Sequence, residues 1–158
     1  MVFAAISGFG ACDLKFVDPV VKIDQHYYTD CVLRDTVLPW VQQTFPNAPY
    51  IFQQDGASSH TSKKCQDFCQ ANFHDFLNKT EWPAASPDLN PCDFFLWGYL
   101  EQKVIYKTYP SIDSLKAALK SAWQQLDLKM VENACVKGFK KRVALVIKQK
   151  GGPIDHLL

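Results

Sequence analysis

The run Tyr50-Ile51-Phe52-Gln53-Gln54-Asp55-Gly56 drives a short apolar strand into an acid and a glycine, and after thirty-seven intervening residues Asn90-Pro91-Cys92-Asp93 opens a helix. The start signals of that helix are strong. Asn90 offers an N-cap side chain, and Pro91 fits the first helical position, where its missing N–H is no loss. Asp93 then falls in the first turn, where the helix dipole favours an ionised carboxylate. A strand that ends in one acid and a helix that begins with another require an architecture in which strands and helices alternate.

The rest of the chain agrees. Residues 2–8 read as a buried strand, Gly8 and Gly10 as a turn, and Leu14 to Val17 as a return strand, together a hairpin. Asp24 precedes a long helical pattern with apolar positions at Tyr28, Val32, Val37, Leu38 and Val41. Pro39 inside that pattern should kink or split the helix. Residues 50–54 form the strand that delivers Asp55, a helix runs from Thr61 or Ser62 to about Phe73, and Phe76-Leu77 reads as a short edge strand. Ser111 caps a helix reaching about Leu126, with Ile112, Leu115, Leu119 and Trp123 as its apolar positions. Asp127 begins a last helix to about Lys148, stopped by Gly151-Gly152-Pro153. The pattern is that of an α/β domain with a basic helical C-terminal part.

Length and composition set limits. A chain of 158 residues, 47% of them hydrophobic, suits one ordinary core. No apolar run is long enough for a membrane span, and the first residues lack the basic leader and cleavage pattern of a signal peptide. Six irregularly spaced cysteines suggest reduced thiols rather than a disulfide framework. Net charge is +1, but residues 1–100 hold six Lys/Arg against eleven Asp/Glu, whereas residues 101–158 hold eleven against five. Lys137, Lys140, Lys141 and Arg142, with Lys148 and Lys150, form the densest basic cluster, and Phe139, Val143 and Val146 give the same helix an apolar face. Such a face is either a solvated helix surface or a track for a phosphate backbone.

Two carboxylates held on rigid elements can share divalent metal ions, the equipment of phosphodiester chemistry. The words around them are specific: Gln54-Asp55-Gly56-Ala57-Ser58-Ser59-His60-Thr61, then Trp82-Pro83-Ala84-Ala85-Ser86-Pro87-Asp88-Leu89-Asn90-Pro91-Cys92-Asp93. Both closely resemble the catalytic core of mariner-type DNA transposases, a branch of the ribonuclease-H-like DD(E/D) enzymes, and the resemblance extends from the Val2 strand to Lys150-Gly151-Gly152. It implies a ribonuclease-H-like mixed sheet flanked by helices, with residues 1–105 as a partial catalytic domain and 106–158 as a basic helical segment of the same domain. It implies Asp55 and Asp93 as catalytic, metal-binding acids for two Mg²⁺ or Mn²⁺ ions. His60 and Asp88 would lie near the substrate, and Lys137, Lys140, Lys141 and Arg142 would meet DNA backbone.

The resemblance also implies two absences: the first, central strand with the first catalytic acid, and the helix-turn-helix domains that read DNA. Asp13, Asp18, Asp24 and Asp88 lie on the wrong elements or loops to replace that acid. The expectation is a metal site left incomplete, a chain inactive by itself in DNA strand cleavage and transfer, and poor solubility from unpaired strand edges. The alternative is a non-catalytic remnant that binds nucleic acid or protein. DNA, and a second copy of the chain as in a dimeric transposase, are the implied partners; a membrane and a small-molecule substrate are not. Nuclear residence is implied by the DNA substrate alone. His60, Cys65, Cys69 and His74 superficially suggest zinc, but their spacing lacks the paired-cysteine knuckle, and buried thiols are the better reading. Trp40, Trp82 and Trp97 read as packing residues.

Overall fold

Two glycines turn the chain back on itself within its first ten residues. In the computed structural model, which describes residues 1–83 and 85–157, strand β1 (Val2–Phe3) pairs antiparallel with β4 (Lys15–Phe16), and β2 (Ile6–Ser7) with β3 (Gly10–Ala11). Gly8 and Phe9 form the turn, and Gly10 has φ +150°, a geometry that L side chains rarely adopt. The strand expected over residues 2–8 is interrupted at Ala4 and Ala5, although the Ala5 carbonyl still accepts the Cys12 N–H at 2.8 Å. Packing divides the chain into two units: Met1–Phe3 with Lys15–Ser86, and Ala4–Leu14 with the chain from Pro87 onward.

The first unit is built on helix α1, residues 25–44. Asp24 caps it, its Oδ1 accepting the His26 and Tyr27 N–H groups, each at 2.9 Å. Pro39 does not split this helix. Instead Tyr28–Val37 winds wide, so that the Leu38 N–H reaches back five residues to Leu33 O. Wide winding moves aside the carbonyl that a proline ring would otherwise strike, which is why the expected break is absorbed. Tyr28, Val32, Leu33, Val37 and Val41 form the buried stripe. Helix α2 (Ser58–Thr61) leads to α3 (Lys63–Asn72), whose Cys65 and Cys69, with Phe73, complete that core. Each fully buried aliphatic side chain here contributes on the order of 1.5–3 kcal/mol.

The strand expected over 50–54, and its partner at Phe76-Leu77, shrink to one parallel bridge. Phe52 N–H donates to Asp75 O at 2.8 Å and Phe52 O accepts Leu77 N–H at 3.0 Å. Between the end of α3 and the turn at Asn78, where Asn78 Oδ1 accepts the Thr80 N–H at 2.9 Å, there is room for no longer ladder. The described residues thus hold two separate two-stranded antiparallel ladders and one isolated parallel bridge in place of the single mixed sheet expected.

In the second unit, helix α4 (residues 92–104) begins with a wide segment, Cys92–Leu96, and continues as Trp97–Val104. Helix α5 (Ile112–Gln124) starts from a capping box in which Ser111 and Ser114 bond to each other's backbone N–H, each at 3.2 Å. Helix α6 (residues 128–148) starts at Asp127, whose Oδ1 accepts the Lys129 N–H at 2.8 Å, and winds wide over Asn133–Gly138. Leu96, Leu100, Ala122, Leu126 and Val131 are its buried centre, with Trp97 packed against them. Ile112, expected inside, is 61% exposed, because the first turn of α5 precedes the buried stripe. Helix α6 ends at Lys148, as expected; Lys150 turns left-handed at φ +51°, and Gly151 follows at φ +87° with its N–H on Val146 O.

Candidate active site

Asp55 follows the Phe52 bridge by three residues and stands at the surface, its side chain 51% exposed. Its Oδ1 accepts the Ala57 N–H at 3.0 Å and lies 2.6 Å from His60 Nδ1; Oδ2 makes neither contact. The histidine contact is short, and hydrogen bonding from His60 is the largest influence on the Asp55 carboxyl. His60, followed by the Ala57 N–H, holds the Asp55 carboxyl below the usual carboxylate range against the opposing effect of partial burial.

His60 is itself held from below. Its ring stacks on Tyr28, centroids 3.9 Å apart and planes at 31°. The Tyr28 hydroxyl donates to Gln54 Oε1 at 2.9 Å, and Gln54 Nε2 donates to the His60 carbonyl at 3.3 Å. The same amide reaches Cys65 Sγ at 3.6 Å, while Gln66 Nε2 donates to the His60 carbonyl at 3.0 Å. Hydrogen bonding from Cys69 brings the Cys65 thiol down to about 7, and the same contact pushes the Cys69 thiol up. A buried glutamine thus ties the first helix, the α3 thiols and the His60 turn together. Tyr28 and Gln54 escaped the sequence reading as site residues. Gln54 beside the acid was the available signal, because a glutamine at a strand end that is buried must find several partners.

Asp93 lies in the second unit, exposed, in the first turn of α4. Asn90 organises that turn as expected: its Oδ1 accepts the Cys92 N–H at 3.1 Å and its Nδ2 donates to Asp93 Oδ2 at 2.9 Å. Its carbonyl accepts the Asp93 and Phe94 N–H groups at 2.9 and 3.0 Å. The wide winding of Cys92–Leu96 occurs at the acid itself. Asp88 is half-buried in the short Pro87–Leu89 turn. Ala84, inside the second motif, lies outside the described residues, and Ala85 carries φ +51°, a strained value for a residue with a Cβ.

Lys137, Lys140 and Lys141 are exposed on α6, whereas Arg142 is half-buried with its guanidinium carbon 3.9 Å from the Phe94 ring centroid. No disulfide joins any of the six cysteines, all of which are described. Among the described residues no group of three or more His, Cys, Asp or Glu side chains is arranged to hold a metal ion. Asp55 stands in the first unit and Asp93 in the second.

No family model matches the chain. It is 30% identical over 156 residues to the transposase of the transposable element Tcb2 of Caenorhabditis briggsae, a match that takes in 99% of this chain and 54% of that protein. The fold is similar to that of the Mos1 transposase catalytic domain, solved with raltegravir and Mn, with TM-score 0.79, 18% identity, and coverage of 97% of this chain and 82% of that one. A Mos1 paired-end complex with the left transposon end gives TM-score 0.77 at 20% identity over 92% of this chain and 42% of that one. The chain spans about half the length of the curated relatives that it matches nearly end to end.

Proposed function

The chain belongs to the mariner-type DNA transposases, with the ribonuclease-H-like fold of their catalytic domain, and on that premise we propose that it is part of a catalytic region that cuts and joins DNA at transposon ends. The observation that carries this reading is the alignment over 99% of the chain with the Tcb2 transposase, through both acid-bearing motifs. In the whole protein, Asp55 and Asp93 serve as two of the three oxygen anchors for a pair of Mg²⁺ or Mn²⁺ ions, which would polarise the phosphodiester when bound. The third anchor comes from the part of the relatives' length that this chain does not span, together with the central strand that bears it.

The chain's own residues prepare the carboxylates. His60 and the Ala57 N–H keep Asp55 ionised, and Asn90 fixes Asp93 at the helix start. His60 and Asp88 flank the reacting phosphate, and Lys137, Lys140 and Lys141 neutralise backbone phosphates without reading bases. Residues 106–158 thus act as a basic segment of the domain that residues 1–105 begin. Its substrate puts the working protein in the nucleus, on DNA and as a pair of copies. The 158 residues by themselves are inert in cleavage, since two oxygen anchors cannot position two ions.

The test incubates the chain with Mn²⁺ and DNA bearing terminal inverted repeats, beside a longer polypeptide that includes the upstream coding sequence. Nicking is expected from the longer protein alone, and it should disappear in Asp55→Ala and in Asp93→Ala. Nicking by the 158-residue chain that depends on both acids would overturn the claim of inertness, and nicking that survives Asp55→Ala would overturn the carboxylate assignment. A second reading, a nucleic-acid-binding remnant without catalysis, draws on the exposure of the three lysines. It becomes the better one if the longer protein binds DNA and never cuts it.

A further inference from the structure

Arg142 shares a sequence cluster with Lys137, Lys140 and Lys141 but not their surroundings. The lysines are exposed. The arginine's guanidinium carbon sits over Phe94, 3.9 Å from its ring centroid, and its Nη1 is buried with no hydrogen-bond partner among the described residues. Gly138, one turn earlier on the same face of α6, approaches the same ring: a Cβ there would stand 3.7 Å from Phe94. Phe94 in turn follows Asp93 directly, and the N–H groups of both residues converge on the Asn90 carbonyl.

A guanidinium that meets phosphate needs its donors in water's reach, where counterions can be exchanged for protein charge. Arg142 has set its guanidinium over an aromatic ring, a use to which arginine is suited and lysine less so. We propose that Arg142 is a positioning residue for the Asp93 carboxylate, clamping the adjacent Phe94 ring so that the first turn of α4 keeps its register, and is not a contact to DNA backbone. The inference rests on the reading of Asp93 as a catalytic acid, but the clamp can be tested without it.

The experiment compares Arg142→Gln, Arg142→Lys and Lys141→Gln in the 158-residue chain. Amide hydrogen exchange, the carboxyl ¹³C shift of Asp93, and the salt dependence of binding to duplex DNA of arbitrary sequence are measured in each. Arg142→Gln should speed exchange at the Asp93 and Phe94 amides roughly tenfold and move the Asp93 carboxyl shift, while leaving the slope of log affinity against log salt unchanged. Lys141→Gln should do the reverse, lowering that slope by about 0.9. Arg142→Lys, which keeps the charge, should recover part of the slow exchange and of the carboxyl shift when Phe94 is present and none of either in a Phe94→Leu background. The proposal falls if Arg142→Gln lowers the salt slope and leaves the two amides and the carboxyl shift untouched, or if lysine rescues equally without the ring. Should the chain bind no DNA at all, the phosphate reading of the lysines fails, and the exchange, shift and rescue measurements still decide the clamp.

Discussion

At the scale of single residues, the strongest physical statement concerns Asp55 and His60. A carboxyl whose folded pKa lies below its ordinary value stabilises the folded state above that ordinary value, about 3.9 for aspartate. The contribution is lost as pH falls through the folded value. Since the Asp55 pKa is lowered chiefly by His60, the sensitive window for the Asp55 carboxyl is the acid side of about pH 4. His60→Ala is expected to return the Asp55 carboxyl toward the ordinary range in a ¹³C NMR titration. A titration midpoint that stays where it is in the wild-type chain would mean that the 2.6 Å contact has no electrostatic weight. With half of the Asp55 side chain in solvent, the accompanying change in stability is small and screened.

At the scale of elements, helix starts in this chain are governed by local chemistry. Asp24, Asn90, Ser111 and Asp127 all accept a backbone N–H in the turn that follows them. Each could be read from the sequence because an N-cap needs only its own side chain and the next three residues. The box at Ser111 gives the cleanest measurement. Ser111→Ala should cost about 1 kcal/mol in urea unfolding, and Ser111→Asp should restore most of it. An unchanged midpoint for the alanine variant would indicate that the box is frayed in solution. The winding of the same helices could not be read, since the wide turns at Tyr28–Val37, Cys92–Leu96 and Asn133–Gly138 answer to packing. Nor could the reduction of residues 50–54 to one bridge, which depends on how little chain lies between α3 and the Asn78 turn.

At the scale of the whole molecule, the family and the coarse fold were legible because long motifs carry family resemblance, and the comparisons with the Tcb2 transposase and the Mos1 catalytic domain agree. The supports of Asp55 and Asp93 were not legible. Tyr28 and Gln54 are 26 residues apart, and Arg142 meets Phe94 across nearly fifty positions, distances at which sequence pattern has nothing to say. One consequence follows from the generous coil of α1. A helix that accommodates a surplus residue can also give it back: deleting Asp35, which is exposed, should let the coil tighten to ordinary pitch and keep its content by circular dichroism. Because the wide coil takes up one residue more over the same arc, the flanks should keep their register and the Tyr28 phenol should stay over the imidazole that it shields. The shortened chain should therefore retain the upfield ring-current shift of His60; loss of that signal would mean that the spare residue is needed to aim the phenol.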